Sequence, residues 1–178
     1  MLKKMKGFTL IELLIVVAIL GILAALLIPN AITAIQKAKQ KGTMKDMASI
    51  STAIADYITD NGVAPTNADD LNTGDGIIAD LSPFYLKVLP LNDQWGFPMW
   101  VYCGTSVVGN YGVTNAGYDD FMVASRGRKN AQEGFSYNSA DPNAGLFVVG
   151  AMVDFENDLI MWNGSWIRAP RIAQQTGS

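Results

Sequence analysis

The run from Phe8 to Ile28 is twenty-one residues long and holds a single charged side chain, Glu12. Wound as an α-helix it spans roughly 31 Å, about one bilayer hydrocarbon core. A segment this apolar has to be hidden in lipid or among other helices. Lys3, Lys4 and Lys6 precede it with no acid beside them. The positive-inside bias therefore holds residues 1–7 in the cytoplasm and sends the C-terminal bulk outward. A cleavable secretory signal is the competing reading. It fits less well, because the run is too long for an h-region, no A-x-A precedes a plausible cut, and Glu12 lies inside it.

The average charge hides a division along the chain. Residues 1–45 carry seven Lys against one Glu, a net +6, while residues 46–178 carry six Lys and Arg against fifteen acids, a net −9. The basic stretch suits a membrane rim. The acidic remainder argues against nucleic acid as a partner, since phosphate binding wants a basic face. The chain has no His, which removes the commonest general base and transition-metal ligand. Without it the usual nucleophile–base pairing is missing, and no phosphate-cradling glycine motif is present, so an enzyme is not expected. Cys103 stands alone. No intrachain disulfide is possible, and its apolar neighbours mark it as a buried small hydrophobe.

Lys6-Gly7-Phe8-Thr9-Leu10-Ile11-Glu12 resembles the class III signal of type IV pilins and pseudopilins. The resemblance implies cutting by prepilin peptidase between Gly7 and Phe8, with N-methylation of Phe8. Glu12 admits two readings. Thr9-x-x-Glu12 is a capping-box pattern, closing the carboxylate back on the helix start. A carboxylate in a membrane helix is also costly and usually marks a partnered, functional position. In the family the matching Glu pairs with the N-terminal amine of a neighbouring subunit during assembly. Gly21 weakens the middle of the helix, and Pro29 removes an amide and crowds the turn before it, so a kink or local melting is expected there.

Beyond Pro29 helical spacing resumes. Met44, Met47, Ile50, Ile54, Tyr57 and Ile58 recur every three or four residues, one apolar stripe that should pack on the exported domain. Asp60-Asn61-Gly62, with Pro65 after it, is a helix stop. Residues 66–80 are acidic and turn-rich, suiting a loop with a short helix around Ala68–Leu71. Strands are expected at Met99–Cys103, Phe121–Ala124, Leu146–Val153 and Leu159–Trp162. Residues 168–178 read as a frayed tail. The organisation expected is a leader at 1–7, a transmembrane and assembly helix at 8–28, the C-terminal half of the long helix at 29–62, and a globular domain at 63–178. The fold class is α+β, a long N-terminal helix packed against a small antiparallel sheet.

Two further stretches narrow the resemblance. Tyr57 to Thr66 reads YITDNGVAPT, and Asn92 to Pro98 reads NDQWGFP after Tyr85-Leu86-Lys87-Val88-Leu89-Pro90. Both are similar to segments of the major pseudopilin of the type II secretion system, with Met99 standing where that family usually has Tyr. Asp93 can open a turn, Gly96 permits unusual backbone geometry, and Trp95 is expected to fill the core beside the helix. The missing disulfide also favours a secretion pseudopilin over a type IV pilin. A minor subunit remains open, because the domain is large for the major type.

Asp154-Phe155-Glu156-Asn157-Asp158 is the most tempting ligand site. Major type II pseudopilins bind calcium near here, and Asp158 with Trp162 resembles the end of their motif. Yet Arg126, Arg128 and Lys129 occupy the facing loop and could neutralise the same acids without metal. An ion-paired turn is therefore the first expectation and calcium the second; no other cofactor is expected. The implied function is a structural subunit of a type II secretion pseudopilus. Its expected partners are copies of itself, minor pseudopilins, prepilin peptidase, an inner-membrane assembly platform and the membrane. The expected location is the inner membrane, single-pass with the N-terminus cytoplasmic, followed by a periplasmic filament. A type IV pilin forming a surface fibre for adhesion, motility or DNA uptake is the alternative. A membrane-tethered enzyme or binding domain is the reading from another class.

Overall fold

The computed structural model describes residues 7–171. Leucine, isoleucine, alanine, methionine and lysine, all compatible with helix, dominate the first third of the chain, and Leu10–Asn61 forms one helix of 52 residues, α1. The helix is assigned without a break through Pro29. It ends where expected: Gly62 takes φ +76° and donates its N–H to the Ile58 carbonyl at 2.7 Å. The Asn61 side-chain amide caps the Tyr57 carbonyl at 2.9 Å.

The chain divides into two compact units, residues 1–37 and 38–178. In the first, every described side chain up to Ile32 is exposed, including Leu10 at 89 % and Leu26 at 68 %. In the second, the predicted stripe forms the helix's inner face. Met47, Ile50 and Ile54 are fully buried, and Met44, Tyr57 and Ile58 are half-buried against the same core. At about 1.5–3 kcal/mol for each fully buried side chain, this stripe is a principal tie between helix and sheet.

The sheet has six strands: β1 (Ala68–Asp70), β2 (Trp100–Cys103), β3 (Phe121–Ser125), β4 (Leu146–Phe147), β5 (Leu159–Trp162) and β6 (Ser165–Pro170). Their order is β1-β2-β3-β5-β6-β4. All neighbours are antiparallel except β4 and β6. A short helix, α2 (Gly76–Leu81), follows β1 and buries Ile77 and Leu81. The fold is α+β.

Strand alternation sends side chains to two covered faces. Val101, Val123 and Met161 stand side by side in register and join the core that contains the α1 stripe. Tyr102, Met122 and Trp162 form the matching row on the other face, packed with Val107, Tyr111 and Val113 from the connection between β2 and β3. This connection is a second layer, which is why β3 is buried at all five positions and reads as a continuous apolar run.

Four expectations need correction. Ala68–Asp70 is strand, not helix, because its backbone pairs with β2 at the sheet edge. Only Leu146 and Phe147 of the run 146–153 form a strand, and Met152–Glu156 is a 3-10 turn. Residues 168–170 belong to β6 rather than to a tail, while 172–178 lie outside the described residues. Trp95 is half-buried. The adjoining core position is filled by Met99, fully buried, which suits a flexible apolar side chain better than a Tyr hydroxyl.

Candidate functional site

Among the described residues, three places bear on the candidate sites. At the start of α1, Thr9 and Glu12 form the capping box. The Thr9 N–H and hydroxyl both donate to Glu12 Oε2, at 2.9 and 2.7 Å, and the Glu12 N–H donates to Thr9 Oγ1 at 3.3 Å. Phe8 beside it is 81 % exposed. Downstream, a Cβ built on Gly21 would meet nothing within 4 Å, so no neighbour within the chain demands glycine there. Pro29 sits inside the helix, and its carbonyl accepts the Thr33 hydroxyl at 3.1 Å. Lys3, Lys4 and Lys6 lie outside the described residues.

The second place is the turn at residues 92–98. Asp93 is 5 % exposed. Its Oδ1 accepts the N–H groups of Trp95 and Phe97 at 2.9 and 3.0 Å, and its Oδ2 accepts the Ser125 hydroxyl at 2.8 Å. Gly96 takes φ +91°, as that turn requires. Desolvation raises the Asp93 pKa, and the hydrogen bonds oppose the rise. Gln94 then latches the turn to α1. Its N–H donates to Thr43 Oγ1 at 3.0 Å and its side-chain amide to Asp46 Oδ2 at 2.7 Å. Thr43 and Asp46 carried no sequence signal, and Gln94 stood out only as part of the 92–98 segment, because nothing local announces a contact across about fifty residues.

The third place is the corner where the turn at 126–130 meets residues 152–158. Gly127 takes φ +60°, and a Cβ on it would lie 2.8 Å from the carbonyl oxygens of Phe155 and Asn157. Asp158 is fully buried. It exchanges hydrogen bonds with Glu133, accepting that residue's N–H at 3.0 Å and donating its own to Oε2 at 3.3 Å. Glu133 in turn holds Arg168 through two hydrogen bonds, at 2.8 and 2.5 Å. The Arg126 guanidinium lies over the Trp100 ring, 3.6 Å from its centroid. Burial pushes Asp158 up to about 6, opposed first by the Glu133 N–H and then by the Tyr111 hydroxyl, with the nearby Glu133 charge adding to the rise and the Arg126 charge opposing it least. Asp154 is engaged elsewhere: its Oδ2 accepts the N–H groups of Gly150 and Ala151, each at 2.7 Å, which hold its carboxyl below the usual range.

Calcium gathers six to eight oxygens from carboxylates, carbonyls and water. Among the described residues no group of three or more His, Cys, Asp or Glu side chains is placed to hold a metal ion. Asp154 caps a turn, Glu133 is paired with Arg168, Asp158 accepts the Glu133 N–H, and Gly127 brings backbone against the carbonyls of Phe155 and Asn157. Glu133 and Arg168 were not singled out from sequence, since thirty-five residues separate them. Cys103 is no nucleophile: burial pushes its thiol up to about 12, so thiolate is scarce near neutral pH.

Comparison with known proteins agrees with the N-terminal motif. The family described as prokaryotic N-terminal methylation motif matches residues 2–28. The type II secretion system core protein G of Pseudomonas aeruginosa is 33 % identical over 146 residues, covering 78 % of this chain and 94 % of that protein. Its counterpart in Vibrio cholerae is 36 % identical over 101 residues, covering 53 % and 68 %. That of Escherichia coli K12 is 32 % identical over 126 residues, covering 67 % and 86 %. No solved structure matches. With a methylation motif on a long exposed apolar helix and a covered α+β domain behind it, the chain belongs to the family of type II secretion system core protein G, the major pseudopilins.

Proposed function

We infer that this chain is a structural subunit of a type II secretion pseudopilus, a filament that grows in the periplasm and helps drive proteins through the outer membrane. One observation carries the reading: the helix surface from Leu10 to Ile28 is apolar, uncovered by the chain itself, and interrupted by one carboxylate. Such a surface is stable in lipid and equally stable among copies of itself. The subunit is inserted with residues 1–7 cytoplasmic and the domain outward, cut between Gly7 and Phe8 by prepilin peptidase, and methylated on the Phe8 amine. An inner-membrane platform then lifts residues 8–28 out of lipid to pack among equivalent helices, with minor pseudopilins as further partners. Gly21 and Pro29 weaken the helix where it must adjust during that exchange.

Glu12 has a separate role in each environment. In the single subunit its carboxylate closes on Thr9. Among packed helices it accepts the positive Phe8 amine of a neighbour, replacing a neutral partner with a charged one where water is excluded. A long surface fibre is the second reading; the names of the relatives above favour secretion over it. Glu12→Ala tests the mechanism. The variant should insert in the inner membrane and be processed normally, and it should yield no sheared filaments. Abundant normal filaments from it would sink the proposal.

A further inference from the structure

We propose that the outer face of the sheet, turned away from α1, holds one internal water bound between the Asp158 carboxylate and the Tyr111 hydroxyl. Both side chains are hidden from bulk solvent, Asp158 fully and Tyr111 at 3 % exposure. Asp158 Oδ2 accepts the Glu133 N–H at 3.0 Å. Its Oδ1 is buried with no hydrogen-bond partner among the described residues, and so is the Tyr111 hydroxyl oxygen. Buried polar atoms in folded proteins are satisfied by protein groups or by ordered water, and a polar-lined site with two to four hydrogen-bonding groups is where a water is held.

The fold brings the two groups together. Ser125 pairs with Leu159 and Ala124 with Ile160, so alternation puts Asp158 on the face of Ala124 and Ile160, which pack with Tyr111 in one cluster. One short segment bonds to both residues: the Glu133 N–H reaches Asp158, and the Tyr137 N–H reaches the Tyr111 carbonyl at 2.7 Å. The Tyr111 hydroxyl and the Asp158 carboxyl act on each other's titration, yet no direct hydrogen bond joins them. A water matches that pair: it donates one O–H to Asp158 Oδ1 and accepts the Tyr111 O–H. The same layer also leaves the indole N–H groups of Trp100 and Trp162 buried without partners, so it is polar-lined. This water belongs to the domain alone and is independent of filament assembly.

The test is an X-ray structure of the full chain, crystallised from detergent at neutral pH and fine enough to show single waters. The expected result is one oxygen atom within about 3.2 Å of both Asp158 Oδ1 and Tyr111 Oη. A direct bond between the two side chains overturns the proposal, as does a site without density. A cation there, with oxygen contacts near about 2.4 Å, overturns it as well. In solution, thermal unfolding in micelles followed by tryptophan emission gives a second measurement. Tyr111→Phe removes one of the water's two partners and should lower the midpoint by on the order of 4 °C. A midpoint equal to or above the wild type's overturns the proposal, because a hydroxyl buried without a partner is no better than the phenyl ring that replaces it.

Discussion

Asp93→Ala removes the side chain that organises the turn fastening the sheet to α1. The carboxylate is 5 % exposed and accepts three hydrogen bonds, from Trp95, Phe97 and Ser125. A hydrogen bond to a charged group contributes about 1.5–3 kcal/mol, and a buried donor left without its acceptor costs about 1–3 kcal/mol. Burial of the charge offsets part of this, as the raised pKa shows. The net loss expected is about 3–5 kcal/mol, a large share of the roughly 5–15 kcal/mol that holds a domain folded. Asp93→Asn keeps an acceptor for the two N–H groups and should cost about 1 kcal/mol. Because Gln94 carries the turn onto Thr43 at 3.0 Å, Asp93→Ala and Thr43→Val should be coupled by about 0.5–3 kcal/mol. Urea unfolding in micelles, read by tryptophan emission, measures the three single variants and the Asp93→Ala/Thr43→Val double variant. An Asp93→Ala loss under about 1 kcal/mol, or full additivity with Thr43→Val, would refute the reasoning.

Asp158 sets a pH dependence of definite sign. Its folded pKa is raised to about 6 from 3.8, so its stabilisation is fully present below about pH 4 and is lost as pH rises through about 6, on the order of 3 kcal/mol in all. The difference in stability between wild type and Asp158→Asn, measured from pH 3.5 to 7.5 on the order of half-unit steps, should fall across that window; a flat difference contradicts it. Gly127→Ala should destabilise by at least about 1–3 kcal/mol, because φ +60° and two carbonyl oxygens 2.8 Å from the new Cβ oppose it. Urea unfolding within about 0.5 kcal/mol of wild type would count against that close approach.

Legibility in the sequence followed the physics of each element. The α1 stripe was readable because Met47, Ile50 and Ile54 repeat at helical spacing and all are buried. β3 and β5 were readable as apolar runs because both faces of the sheet are covered. β1 was not, since Ala68-Asp69-Asp70 has no apolar pattern and is a strand only through its backbone pairing with β2. β6 was hidden for a similar reason: it holds Arg168 and Pro170 and is a strand through its pairing with β5 and β4. Val148 and Val153 misled in the opposite direction: apolar, yet exposed. Of the polar sites, the Thr9–Glu12 box was legible from a local spacing of three. The Gln94–Thr43 latch and the Glu133–Arg168 pair join distant segments and leave no local trace.

The central claim is that this subunit serves secretion. The direct measurement is to delete its gene, restore it on a plasmid, and assay exported enzymes in the medium and periplasm alongside surface fibres. The account predicts that deletion traps those enzymes in the periplasm, that the wild-type copy releases them, and that surface fibres are unchanged throughout. Loss of surface fibres with secretion intact would contradict it.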